Sequence, residues 1–104
     1  MKKVKITVIR KARHDDLIKK YENDLDEECC VEEGETFIAN GWVKPENFCE
    51  SAWLSLSPFV MALSNGCEDL YGGWMKDEKT AMISCNDGFR PVSFLLEMLD
   101  EDAD

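Results

Sequence analysis

A chain of 104 residues is long enough for one modest core and too short for two. Its 44% hydrophobic and 33% charged content is that of a folded domain with a well-solvated surface. The formal net charge of −10 disfavours nucleic acid as a partner, and no stretch approaches the roughly 18 apolar residues of a membrane span.

The charge is unevenly placed. Residues 1–20 hold eight of the twelve basic residues and only two acids, Asp15 and Asp16; the remainder holds 20 acids against Lys44, Lys76, Lys79 and Arg90. A nucleic-acid binder needs a basic groove to displace counterions. Lys2, Lys3, Lys5, Arg10 and Arg13 are the one such cluster, and they read as the solvated face of a strand and turn. Lys5 and Arg10 also interrupt any apolar region of a signal peptide, so a cytoplasmic chain is expected. The five cysteines, Cys29, Cys30, Cys49, Cys67 and Cys85, are odd in number. They read as reduced thiols rather than as a disulfide framework.

Along the chain, Val4 to Ile9 alternates apolar and polar residues and predicts a half-buried strand. His14 to Glu22 follows as a short helix, with Asp15 and Asp16 at its positive end, Lys19 and Lys20 near the other, and Leu17, Ile18 and Tyr21 on its apolar side. An acidic loop leads to a short strand, Thr36 to Ala39, bracketed by Gly34 and Asn40-Gly41. Asn47 and Glu50 have capping-box spacing. From there Phe48, Ala52, Leu56, Val60 and Leu63 recur at helical spacing, joined by Trp53 and Phe59. Pro58 interrupts this period at a cost of about 3 kcal/mol in a helix interior. The expectation is therefore either two short helices, Ser57 capping the second, or one bent helix ending at Asn65-Gly66. Leu70 to Met75 is a glycine-broken loop with two aromatics. Thr80 to Cys85 and Val92 to Leu99 complete the strands, and residues 100–104 read as a frayed acidic tail.

The order β-α-β-α-β-β predicts one α+β domain over residues 1–99, a small mainly antiparallel sheet with helices packed on one face. If Asp87-Gly88 forms a two-residue turn, Cys85 faces Arg90, Ile83 faces Val92 and Ala81 faces Phe94, all on the core face. Arg90 must then reach water, a carboxylate, a carbonyl or a bound anion. A thiol beside a guanidinium has its thiolate favoured. The plainer alternative makes Cys85 a small core residue and pairs Arg90 with one of the 22 acids. Cys30, Cys49 and Cys85 could form a metal site only by converging from separate elements, since no Cys-x-x-Cys pair is present. His14 reads as a surface residue at a helix start. Phosphate-loop, nucleophile-elbow and helical His-Glu motifs are absent. Trp42, Trp53 and Trp74 read first as core or interface anchors, Trp74 being the best placed for a pocket or dimer seam.

Several blocks together resemble a family of short uncharacterised prokaryotic proteins, some of whose members are described as repeat proteins. They are Val4 to Val8, Cys29-Cys30 leading into Glu33 to Ile38, Lys44 to Cys49 with Ala52-Trp53, Trp74 to Lys76, and Cys85-Asn-Asp-Gly-Phe-Arg-Pro-Val92. The Cys-x-Asp-Gly-x-Arg-Pro-Val block is the most specific. The resemblance implies that Cys30, Cys49, Trp53, Trp74, Cys85, Asp87, Gly88, Arg90 and Pro91 occupy motif positions. It points to no established activity. Pro58, the doubled Cys29, and Asn47 where glycine is commoner depart from the pattern. The expectation is a small binding module, a homodimer, whose pocket or seam near Cys85, Arg90, Cys49, Trp53 and Trp74 accepts a small anionic ligand through Arg90. The rival expectation is a thiol-dependent redox enzyme or metal protein using Cys30, Cys49 and Cys85.

Overall fold

The computed structural model describes residues 1–25, 29 and 31–104. Six elements follow in the expected order: β1 (Lys2–Lys11), α1 (Asp15–Tyr21), β2 (Thr36–Ala39), α2 (Glu50–Ser64), β3 (Thr80–Ser84) and β4 (Val92–Asp102). The strands form one antiparallel sheet in the order β2-β1-β4-β3, so the architecture is α+β. Strand alternation sends Val4, Ile6 and Val8 of β1, Ala39 of β2, Ala81 of β3, and Val92, Phe94 and Leu96 of β4 to one buried face. Ala52, Leu56, Val60 and Leu63 of α2 cover that face, with Phe48 and Val31 closing its margin. Phe48 sits edge-on to Phe37 with ring centroids 4.9 Å apart, and 5.6 Å from Phe94. By contrast, α1 buries none of its residues; Leu17 and Tyr21 are exposed.

α2 is continuous through Pro58, which overturns the expectation of two short helices. The buried i, i+4 series Ala52, Leu56, Val60 spans the proline without a change of face, so burial outweighs the lost backbone hydrogen bond. Gly66, at φ +88°, ends the helix as expected. The Gly66 N–H donates to the Leu63 carbonyl and the Cys67 N–H to that of Ala62, both at 3.0 Å, a Schellman pattern. The capping box does not form. Asn47 has φ +61°, the left-handed region that Asn tolerates better than most side chains, and Cys49 takes the N-cap position without a side-chain cap.

Residues 100–104 are not a frayed tail. β4 continues to Asp102, the Ala103 N–H donates to the Met1 carbonyl at 2.7 Å, and the Asp104 N–H to Asn40 Oδ1 at 2.8 Å. Lys2 and Asp102 pair at 2.8 Å, and their shared hydrogen bond raises the Lys2 pKa and lowers that of Asp102. The contribution of Asp102 is therefore present above its ordinary value of 3.8 and fades as pH falls through the lowered one. That of Lys2 is full below 10.5 and fades as pH rises through the raised one. Asp102 is exposed and Lys2 partly so, and the pair adds little beside the backbone pairing.

The C-terminal hairpin is longer than a two-residue turn allows. Ala81 pairs with Leu96 and Ile83 with Phe94, and the Cys85 N–H donates to the Val92 carbonyl at 2.9 Å. The register is displaced by two residues from the expected one. A displacement of two preserves the faces, so the expected core residues are buried although their partners differ. The cause lies in loop 86–91. Asp87 Oδ1 accepts the Phe89 and Arg90 N–H groups at 2.8 and 3.1 Å. The Phe89 and Pro91 carbonyls accept the His14 and Ala12 N–H groups, each at 2.9 Å. The loop thus bonds to the segment after β1 instead of closing on itself.

A chain ending at Leu99 is expected to lose several degrees of Tm relative to the full chain, measured by circular dichroism. An unchanged Tm would mean that residues 100–104 add nothing to the sheet.

Candidate functional site

Two adjoining cavities lie where loop 86–91 meets the end of β1 and the start of α2. Lys11, Ala12, Arg13, Cys29 and Arg90 line the first, about 170 Å³. Cys29, Cys49, Ser51, Cys85, Asn86, Asp87 and Arg90 line the second, about 300 Å³, at the lower end of the range for small-ligand sites. Cys29 and Arg90 belong to both.

The local chain path explains this grouping. A register shift between Val8 and Arg10 leaves Ile9 as an extra residue on β1, so Lys11 stands opposite Val92. Partners across a ladder share a face, and the shift therefore aims Lys11 at the side where Arg90 lies. The Lys11 ammonium donates to the Cys29 carbonyl at 3.1 Å, and the Lys11 N–H to Glu33 Oε2 at 3.0 Å. Asn86 Nδ2 donates to the Ser51 carbonyl at 3.2 Å, tying the loop to the first turn of α2.

Arg90 is held by Glu22, the residue after α1. Nη1 lies 2.8 Å from Oε1 and 3.0 Å from Oε2, and the two side chains are only 15% and 12% exposed. This is the carboxylate partner that the plainer sequence reading anticipated. Nε is buried and has no hydrogen-bond partner among the described residues, so the guanidinium is left one donor short of satisfaction. Cys85 does not face Arg90 across a tight turn. Its Sγ accepts the Val92 N–H at 3.2 Å, although both residues line the same cavity.

Of the residues expected at a pocket, Cys49, Cys85 and Arg90 meet in the second cavity. Trp53 and Trp74 do not line either cavity. Trp53 packs edge-on to Phe48 at 6.1 Å and borders a separate groove with Trp42, Ser57, Pro58 and Met61. Trp74 stands 5.2 Å from Tyr71, which in turn lies 6.1 Å from Phe59. Cys30 lies outside the described residues, and its neighbour Cys29 is the thiol seen in the cavity. Among the described residues, no group of three or more His, Cys, Asp or Glu is disposed to hold a metal ion. Likewise no helix among them is long and apolar enough to cross a membrane. His14 is an exposed residue at the start of α1. Lys11 and Glu22 carry no signal of a site in the sequence, because a strand irregularity and an ion pair across 68 positions place them, and nothing in the sequence favours Cys29 over Cys30.

No family model, curated protein or solved structure matches this chain at a significant level.

Glu22→Gln is expected to cost about 1–3 kcal/mol in urea unfolding, because it leaves a largely buried guanidinium with a neutral partner. Asp15→Asn, which breaks the exposed Arg13–Asp15 pair, is expected to cost below about 1 kcal/mol. Equal losses would mean that the Arg90–Glu22 pair is energetically a surface pair.

Proposed function

We propose that the protein is a small binding module whose paired cavities around Arg90 accept a small anionic ligand. The observation that carries this reading is the state of Arg90. Glu22 engages Nη1, Nε is buried with no hydrogen-bond partner among the described residues, and Arg90 lines both cavities. Glu22 bonds only one of the guanidinium nitrogens, so an anion in either cavity would meet donors that Glu22 leaves unused, and a charge-assisted bond is stronger than a neutral one. Lys11 and Arg13 line the same opening, which sets three basic residues around one cavity in a chain of net charge −10. Glu22 and Asp15 fix two of these side chains in place; this lowers the ordering cost of binding while tempering the local potential. Affinity for a single phosphate-sized anion should therefore be modest.

The reading includes a cytoplasmic setting, in which the thiols stay reduced, and a homodimer. Trp42 and Met61, both at least half exposed, line the groove beside α2, the kind of apolar surface that an interface covers. A mass of one chain in sedimentation equilibrium would remove the dimer from the reading.

Isothermal titration with inorganic phosphate is expected to show one saturable site on the full chain, weakened at least about tenfold in Arg90→Met, the loss of one charged hydrogen bond. Absence of saturable binding, or equal binding by Arg90→Met, would contradict the proposal.

A further inference from the structure

We propose that Cys29 is a thiol–disulfide exchange site for small carboxylate-bearing disulfides, with the other two thiols of its cavity positioned to complete the exchange. The inference rests on the anion-accepting reading of the Arg90 cavities and adds the chemistry of the ligand. Cys29 is the one cysteine among the described residues that lines both cavities. On one side it adjoins Lys11, Arg13 and Arg90, and on the other Cys49 and Cys85. All four described cysteines are free thiols. A carboxylate held at the basic opening brings the rest of the same molecule to Cys29, and attack then occurs within a bound complex.

The steps balance without any further reagent. The Cys29 thiolate attacks one sulfur of the small disulfide. A Cys29–sulfur bond forms, the bond between the two reagent sulfurs breaks, and the departing half leaves as a thiolate that takes up a proton. The mixed disulfide now lies in a cavity that Cys49 and Cys85 also line. Attack by either at the Cys29 sulfur releases the second half as a thiol and leaves a protein disulfide. Two protein thiols are oxidised and one small disulfide is reduced to two thiols. Cys85 Sγ already accepts the Val92 N–H and is partly buried, whereas Cys49 is exposed, so Cys49 is the readier partner.

Cys67 provides an internal contrast. It is exposed, lines neither of these cavities and is followed by Glu68 and Asp69. An anionic disulfide should be repelled there and a cationic one attracted. The two thiols are therefore expected to show opposite charge preferences within one chain.

The test treats the full chain with oxidised glutathione, an anionic disulfide, or with cystamine, a dication, and maps modified cysteines by mass spectrometry. Cys29 is expected to react about tenfold faster with oxidised glutathione than with cystamine at low salt, the low end of charge steering in a lined cleft, with the ratio shrinking as salt rises. Cys67 is expected to prefer cystamine. Lys11→Gln combined with Arg13→Gln should abolish the preference at Cys29 and leave Cys67 unchanged. Cys30→Ser should retain the reaction and Cys29→Ser should lose it. The proposal is overturned if Cys29 prefers cystamine or shows no preference, or if Cys29→Ser reacts as the parent does. S-methylglutathione, which cannot exchange, separates the two readings by its effect on the Lys11 and Arg90 amide resonances. Shifts there without exchange at Cys29 would leave anion binding standing and this proposal refuted. Neither shifts nor exchange would refute both.

Discussion

The pairing of β1 with β4 is the constraint on which the rest of the molecule depends. It joins the two ends of the chain along the centre of the sheet, from Lys2 opposite Asp102 to Lys11 opposite Val92. Six of the fully buried side chains, Val4, Ile6, Val8, Val92, Phe94 and Leu96, come from these two strands. The remaining pairings depend on it. β2 attaches to the outer edge of β1 and β3 to that of β4, and α2 is seated on the single apolar face that results. Contacts between residues so distant in sequence carry a large loop-closure cost, so this pair should form late and cooperatively with the α2 interface.

The candidate site is a direct extension of that pairing. Beyond Lys11 the chain continues to bond with the opposing strand's lead-in, Ala12 to Pro91 and His14 to Phe89. This antiparallel course carries the chain into α1 beside loop 86–91, and Glu22 after α1 reaches Arg90. Asp87 holds the loop open by accepting two of its backbone N–H groups, where a tight turn would have left no room for a cavity. The thiols arrive from three directions: Cys49 from the start of α2, Cys85 from the end of β3, and Cys29 from the connection between α1 and β2.

Much of the framework was legible in the sequence because it follows from periodicity. The alternation of Val4, Ile6 and Val8 and the helical spacing of Ala52, Leu56, Val60 and Leu63 identify the buried faces without any knowledge of pairing. The site was less legible because it depends on irregularities. The extra residue at Ile9 that re-aims Lys11 has no signature in a strand of β-branched residues. Asp87-Gly88 resembles a tight-turn dipeptide, and only the pairing with residues 12–14 shows why the longer loop prevails. Pro58 signalled a break that the burial of residues on both sides of it overrides. Arg90 was identifiable as a residue needing a partner, but nothing in the sequence selects Glu22 from the other acids.

The central claim is that the Arg90 guanidinium retains a donor for an outside anion while Glu22 holds it in place. Nitrogen-15 NMR of the Arg90 side chain tests this most directly. The account predicts an Nε–H resonance that is slow to exchange with water in the free protein and moves downfield, saturably, as inorganic phosphate is added. A resonance unmoved by phosphate at saturating concentration would contradict it.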